Sequence, residues 1–149
     1  MPNLIWTQLK HLQLGEIAEN YAKIEFLSFG FEVYDTVVDD RGIDFIARKN
    51  EQFYEVQVKA VRNRNYTFIA ESKMEKLSDN RLVCFINFED FSMPKIYVIP
   101  STEWRGENPA LVYKTYAGLK SEPEWGINFS KKNEELFKDY LADTVLKAL

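Results

Sequence analysis

The apolar positions of this 149-residue chain follow two rhythms. From about Leu14 to Phe29, the residues Leu14, Ile17, Ala18, Tyr21, Ile24 and Phe29 recur at helical spacing and Gly30 supplies a stop, so a first helix is predicted. A period of two then takes over. Phe31–Val38, rich in aromatic and β-branched residues, predicts a strand; Asp39-Asp40-Arg41-Gly42 predicts a turn, Ile43–Arg48 a second strand, and Lys49-Asn50-Glu51 a hairpin turn. Phe53–Val61 alternates strictly, with Tyr54, Val56, Val58 and Ala60 on one face and Glu55, Gln57 and Lys59 on the other. Tyr66–Ala70 fits a short strand or the start of a helix. Leu82–Phe88 predicts a buried strand, and Lys95–Ile99 its hairpin partner, ended by Pro100. Ser101–Trp104 suits one helical turn with Ser101 as cap, and Ala110–Tyr116 is another strand. From about Lys131 to Ala148, Leu136, Phe137, Tyr140, Leu141, Val145 and Ala148 form one apolar stripe, which predicts a final helix capped by Ser130. Helix, five or six strands, helix is an α/β order: an α+β mixed sheet flanked by helices. With no repeat and no linker, residues 1–149 read as a single domain.

Composition narrows the chemistry. The lone His11 cannot supply a multi-histidine metal site. The lone Cys84 excludes an internal disulfide and suits a reducing compartment, so a cytoplasmic location is expected. No glycine precedes a lysine, which excludes a P-loop, and no G-x-S-x-G elbow is present. There is no apolar run long enough for a membrane span and no cationic, apolar leader, so no membrane partner is expected. The aromatic share of 15% argues for a substantial core. Net charge is −4 but unevenly spread: residues 1–54 carry 5 basic and 9 acidic side chains, whereas residues 59–81 carry 6 basic and 3 acidic. Arg62, Arg64, Lys73 and Lys76 in that second stretch are candidates for phosphate contacts, with Tyr66 and Phe68 able to stack on bases; a solvated loop of ordinary charge is the plainer alternative. Trp104 and Trp125 read as loop residues that cover core edges, with an interface or base-stacking role as the alternative. Glu25 falls in the apolar arc of the first helix, where Lys23 or a subunit contact is the partner it suggests.

Three polar features fall between Gly15 and Lys59. Glu19 lies on the helix strip of Gly15, Ala22 and Phe26, at the border of the apolar face. Acids early in a helix also serve simply to offset the helix dipole. Asp44 sits among Ile43, Phe45 and Ile46, where a carboxylate needs a cation or hydrogen-bond donors. A metal ion and a bond to the preceding turn both answer that need. Glu55, Gln57 and Lys59 share one strand face, a pattern also met on solvated strands.

In order and spacing, Glu19, Asp44 and Gln57-Val58-Lys59 resemble the PD-(D/E)xK nuclease superfamily, whose restriction-endonuclease-like fold sets a helix beside a sheet carrying Asp and then Glu-x-Lys. The resemblance covers roughly the first 60 residues. It departs where Gly42-Ile43 precedes Asp44 in place of Pro, and where Gln57 replaces the second acid, a Gln-x-Lys variant known in the Mrr-like restriction branch and in small bacterial members. The resemblance implies a metal-dependent endonuclease acting on DNA, with Mg²⁺ or Mn²⁺ held by Asp44, the Gln57 side-chain carbonyl and the Val58 backbone carbonyl. Glu19 and Glu55 are supplementary ligand candidates, and Lys59 positions or deprotonates the attacking water or stabilises charge on phosphorus. One site per chain points to a homodimer or larger symmetric assembly on duplex DNA. The alternative is a non-catalytic nucleic-acid-binding or protein-interaction module that keeps the fold.

Overall fold

A computed structural model describes residues 2–37 and 41–149 of the chain. Helix α1 spans His11–Ser28 and starts earlier than its apolar rhythm, because the Gln13 side chain accepts the Lys10 backbone N–H at 2.9 Å and caps the first turn. Leu14, Ala18, Ala22 and Phe26, four apart, form its buried line, whereas Ile24, expected in the stripe, is 60% exposed. At Gly30 a φ of +87° lets the Phe31 N–H return to the Phe26 carbonyl, so the predicted stop is a left-handed C-terminal cap.

Eight strands are seen among the described residues: β1 (Glu32–Asp35), β2 (Phe45–Lys49), β3 (Gln52–Arg62), β4 (Tyr66–Ala70), β5 (Arg81–Phe88), β6 (Lys95–Pro100), β7 (Leu111–Lys114) and β8 (Glu124–Asn128). Five form a mixed sheet of order β1-β2-β3-β5-β6, in which only the central β3–β5 pair is parallel; β4-β8-β7 form a second, antiparallel sheet. The first strand is shorter than the Phe31–Val38 pattern suggests. It ends at Asp35, after which the Thr36 hydroxyl donates to the carbonyls of Ile43 and Asp44. Val38 and the Asp39-Asp40 part of the expected turn lie outside the described residues. The Lys49–Glu51 hairpin forms as predicted, with Asn50 and Glu51 both at positive φ.

Strand β5 explains the large sheet. All eight of its residues are buried. Leu82, Cys84, Ile86 and Phe88 face α1 together with Phe45, Val56 and Val98, while Val83 and Phe85 face the second sheet together with Ile69, Ile127 and Phe129. A central strand covered on both sides needs apolar residues at consecutive positions, which is the pattern of Leu82–Phe88.

Two expectations are corrected. The C-terminal segment is not one helix over 131–148. A 3-10 helix, Glu134–Tyr140, breaks at Leu141, whose extended backbone (ψ 134°) bridges Tyr97 on edge strand β6, before helix α2, Ala142–Ala148. The break follows from burial: Phe137 and Tyr140 enter the core on one face of the sheet, Ala142 and Leu146 the core on the other. A straight helix cannot reach both, so the chain wraps the β6 edge. Ser101 is not a helix cap either; its hydroxyl accepts the Ser78 N–H and donates to the Ser78 carbonyl, pinning the 3-10 turn Ser101–Arg105 to the approach of β5.

The Trp125-Gly126 segment, read as loop, is strand β8. A Cβ on Gly126 would lie 2.2 Å from the Tyr66 hydroxyl, so the glycine is required by a ring packed on its backbone. Trp104 and Trp125 cover core edges as expected, bonding the carbonyls of Gly126 and Met74.

Glu25 is half-buried on α1, and burial, then the charge of Asp143 on α2, raises its carboxyl pKa above the ordinary glutamate value. A raised native pKa means that folding favours the protonated form, so this contribution is full below the ordinary pKa and is lost as pH rises through the native one. Glu25→Gln is therefore expected to raise the urea midpoint near pH 7 and to lose that advantage below about pH 4. Equal midpoints near pH 7 contradict this placement.

Candidate active site

Strand β3 outruns its neighbour. β2 has 5 residues and β3 has 11, and their register ends with Phe45 opposite Val56. Beyond Val56 the same edge of β3 continues to Arg62 without a β2 residue opposite. Asp44, the residue before β2, closes the ladder twice: its N–H donates to the Val56 carbonyl at 2.8 Å, and its Oδ2 accepts the Val58 N–H at 2.6 Å. The N–H and C=O of one strand residue leave the same edge. The Val58 carbonyl therefore faces the notch that the Asp44 carboxylate occupies.

The Gln57 and Lys59 side chains stand on the sheet face opposite α1, as the alternation predicts. Lys59 is half-buried, in register with Phe85 of β5. Gln57 is only 6% exposed, and its Oε1 accepts a hydrogen bond from Arg81 Nη2 at 3.3 Å. The same nitrogen donates to the carbonyls of Arg41 at 3.0 Å and Lys73 at 2.6 Å. Arg81 Nη1 lies 3.8 Å from Glu55 Oε2. The carbonyl of Gln57 and the carboxylate of Glu55, both candidate metal ligands, thus turn toward a guanidinium. Sequence reasoning passed over Arg81. The signal was its place at the head of the apolar run Leu82–Ile86, where an arginine must be supplied with acceptors.

Glu19 pairs with Lys23 at 3.2 Å, and Lys23 with Asp35 at 2.8 Å. Asp35 is the register partner of Phe45, the residue after Asp44, so this chain of charges runs from α1 to the strand end beside the notch. The hydrogen bond to Asp35 and then the pairing with Glu19 raise the Lys23 pKa against the opposing effect of burial.

The four predicted phosphate contacts divide. Lys73 and Lys76, with Arg41 and Arg81, line a cavity of about 500 Å³ whose walls also include Glu55 and Glu75. Arg62 and Arg64 are engaged elsewhere: Arg62 donates to the Leu9 carbonyl, and Arg64 pairs with Glu89 at 3.1 Å and Glu134 at 2.7 Å. Tyr66 is likewise committed, its hydroxyl bonding Glu124 and its ring lying under the Lys114 ammonium, whereas Phe68 stays 46% exposed.

Among the described residues no group of three or more His, Cys, Asp or Glu side chains could hold a metal ion. The donors gathered at the notch are one carboxylate and one backbone carbonyl. Both are hard oxygens and fit Mg²⁺ or Mn²⁺, which keeps several waters and needs few carboxylates; they do not fit a thiol- or imidazole-bound metal. Among the described residues no helix is long and apolar enough to cross a membrane.

No protein-family model and no curated sequence matches the chain. Solved structures do. Hjc, a Holliday junction resolvase of Archaeoglobus fulgidus, superposes with a TM-score of 0.52 at 12% identity, over 83% of this chain and 86% of the resolvase. The bacterial homing endonuclease I-Ssp6803I gives 0.46 at 16% identity, over 63% of this chain and 71% of that one. The likeness to the resolvase shows a shared fold: a mixed α/β sheet with flanking helices at either end of the chain.

Gly42 anchors the approach to Asp44. Its φ is +73°, and an added Cβ would meet Gln57 Nε2, Lys73 Cβ and the Lys73 carbonyl, each at 3.0 Å. Gly118 has a similar φ of +79° with open space around it. Urea denaturation is expected to show Gly118→Ala costing about 1–2 kcal/mol. Gly42→Ala is expected to cost about 1–3 kcal/mol more, because contact adds to strain. Equal costs contradict the packing of Gly42 on Gln57 and Lys73.

Proposed function

We propose that this protein is a metal-dependent nuclease that hydrolyses phosphodiester bonds in DNA, with a PD-(D/E)xK site in its Gln-x-Lys form. The observation behind this reading is the meeting of Asp44 with the Val58 edge of β3, on the strand that carries Gln57 and Lys59. The fold shared with a junction resolvase supports it. Asp44 and the Val58 carbonyl are the residues to hold Mg²⁺ or Mn²⁺, which supplies an acidified water and charge neutralisation at phosphorus.

The chain's own groups do the remainder. Lys59 places a cation beside the scissile phosphate, where it stabilises the charge that builds on the phosphoryl oxygens and orients the attacking water. Glu19, poised through Lys23, orients solvent on the α1 side. Lys73, Lys76 and Arg41 take neighbouring phosphates in the cavity, so an acidic protein holds DNA through one local cationic surface. A two-fold dimer gives two sites for the two strands.

A second reading, a binding module that keeps the fold without catalysis, draws on the bond from Arg81 to Gln57 and on the lack of a three-acid group among the described residues. Cleavage assays with single-stranded, duplex and branched DNA separate the two. With Mg²⁺ or Mn²⁺ the wild type is expected to cut at least one of these, and Asp44→Ala and Lys59→Ala to lose about 100-fold or more in rate. Arg64→Ala, which breaks ion pairs within the fold, is expected to leave the rate unchanged. DNA bound but uncut, with no calorimetric heat at millimolar Mg²⁺, establishes the binding module instead. Lys73→Ala with Lys76→Ala is expected to weaken DNA binding and to flatten its salt dependence by about one to two charges.

A further inference from the structure

Gln57 stands where the resemblance asks for an acid that binds metal, yet its environment serves another purpose. We propose that Gln57 is a positioning residue and not a metal ligand, and that Arg81, through Gln57 and the 41–44 segment, fixes the place of Asp44. The functional half of this inference rests on the nuclease reading; its structural half does not.

Arg81 joins three pieces of chain that are distant in sequence. Nη2 donates to the Gln57 side-chain carbonyl on β3, to the Arg41 carbonyl ahead of β2 and to the Lys73 carbonyl after β4. The residue is 8% exposed, so each of these acceptors offsets desolvation of a buried cation. With Gln57 Oε1 given to Arg81, the amide nitrogen Nε2 is turned toward Gly42, 3.0 Å from where a Cβ would stand. Gly42 is thereby seated between Gln57 and Lys73.

Two residues later, the Ile43 and Asp44 carbonyls are held from the other side by Thr36, and Asp44 reaches Val56 and Val58. The approach to Asp44 is therefore bonded at Arg41 by Arg81, packed at Gly42 against Gln57 and Lys73, and bonded at Ile43 and Asp44 by Thr36. An arginine suits this work because its planar guanidinium reaches Glu55 from Nη1 while Nη2 sits among the three carbonyls, a span that the single nitrogen of a lysine does not reproduce. The same arrangement explains why an amide occupies position 57. Its carbonyl accepts from Arg81 without adding charge, and its Nε2 lies beside Gly42, where a carboxylate would bring a second oxygen and a negative charge.

Two measurements test this. The first is Mn²⁺ titration by calorimetry. Gln57→Glu is expected to bind Mn²⁺ within about twofold of the wild type, because Arg81 neutralises the new carboxylate. Combined with Arg81→Met, the same substitution is expected to tighten binding about tenfold relative to Arg81→Met alone, the released carboxylate then reaching the ion. A tenfold gain from Gln57→Glu alone overturns the inference, since Gln57 would then already face the metal.

The second is amide hydrogen exchange, with Arg81→Lys as the variant that keeps the charge. Exchange at the Val58 N–H is expected to rise about tenfold or more, while the Thr67–Ile127 rung of the second sheet stays as in the wild type. Unchanged exchange at Val58 overturns the inference. If the wild type takes up no Mn²⁺, the metal-dependent nuclease reading fails, and Val58 exchange alone decides whether Arg81 positions Asp44.

Discussion

An unmatched strand edge governs this structure. β3 continues six residues past the point where β2 ends, and a strand edge left with unpaired donors and acceptors is costly when it is partly covered. Asp44 meets that need with its carboxylate, which accepts the Val58 N–H in place of the next backbone carbonyl. One atom pair thus ends the β2–β3 ladder, fixes a carboxylate at the strand edge and leaves the Val58 carbonyl beside it. The polarity that makes Asp44 a poor strand residue is the property that places it there.

The sheet around this edge is rigid because it is buried on both faces. β5 supplies apolar residues to each side, with α1 and α2 closing one core and the second sheet and the 3-10 helices closing the other. Phe85 sits at the centre of the second core, within 5.1–6.2 Å, ring centre to ring centre, of Tyr97, Phe129 and Phe137. β3 lies next to β5 in the parallel pair, so Gln57 and Lys59 are borne by a strand with a neighbour along its whole second half. Polar groups that must be placed accurately are best mounted on such elements. The excursion between β3 and β5 returns β4 to the second sheet and brings Lys73 and Lys76 to the cavity, so the cationic surface follows from the crossover itself.

Much of this was legible in the sequence where one physical demand acted alone. The buried strand at Leu82–Phe88, the alternation at Tyr54–Ala60, the hairpin at Asn50-Glu51 and the stop at Gly30 each reflect a single local requirement. The misreadings arose where two demands met. The stripe from Leu136 to Ala148 looks helical throughout, but its residues serve opposite faces of one sheet, and the split at Leu141 is visible only once that sheet exists. Gly126 weakens the strand signal of β8 because its lack of a side chain makes room for Tyr66. Arg62 and Arg64 carry the same charge as Lys73 and Lys76, and only the fold shows that the former bond the Leu9 carbonyl, Glu89 and Glu134 while the latter line the cavity. Order and spacing single out Asp44, Gln57 and Lys59 as candidates, but they do not reveal the partner of Gln57, since Arg81 comes 24 positions later and meets it through parallel strand pairing.

The most direct measurement is a crystal structure of the protein with Mn²⁺ and a DNA oligonucleotide, with the ion located by its anomalous scattering. A peak bounded by the Asp44 carboxylate and the Val58 carbonyl, with a DNA phosphate alongside and Gln57 still bonded to Arg81, is the predicted result. No peak at the notch, or an ion held elsewhere with DNA bound away from β3, contradicts the assignment of this edge as the catalytic centre.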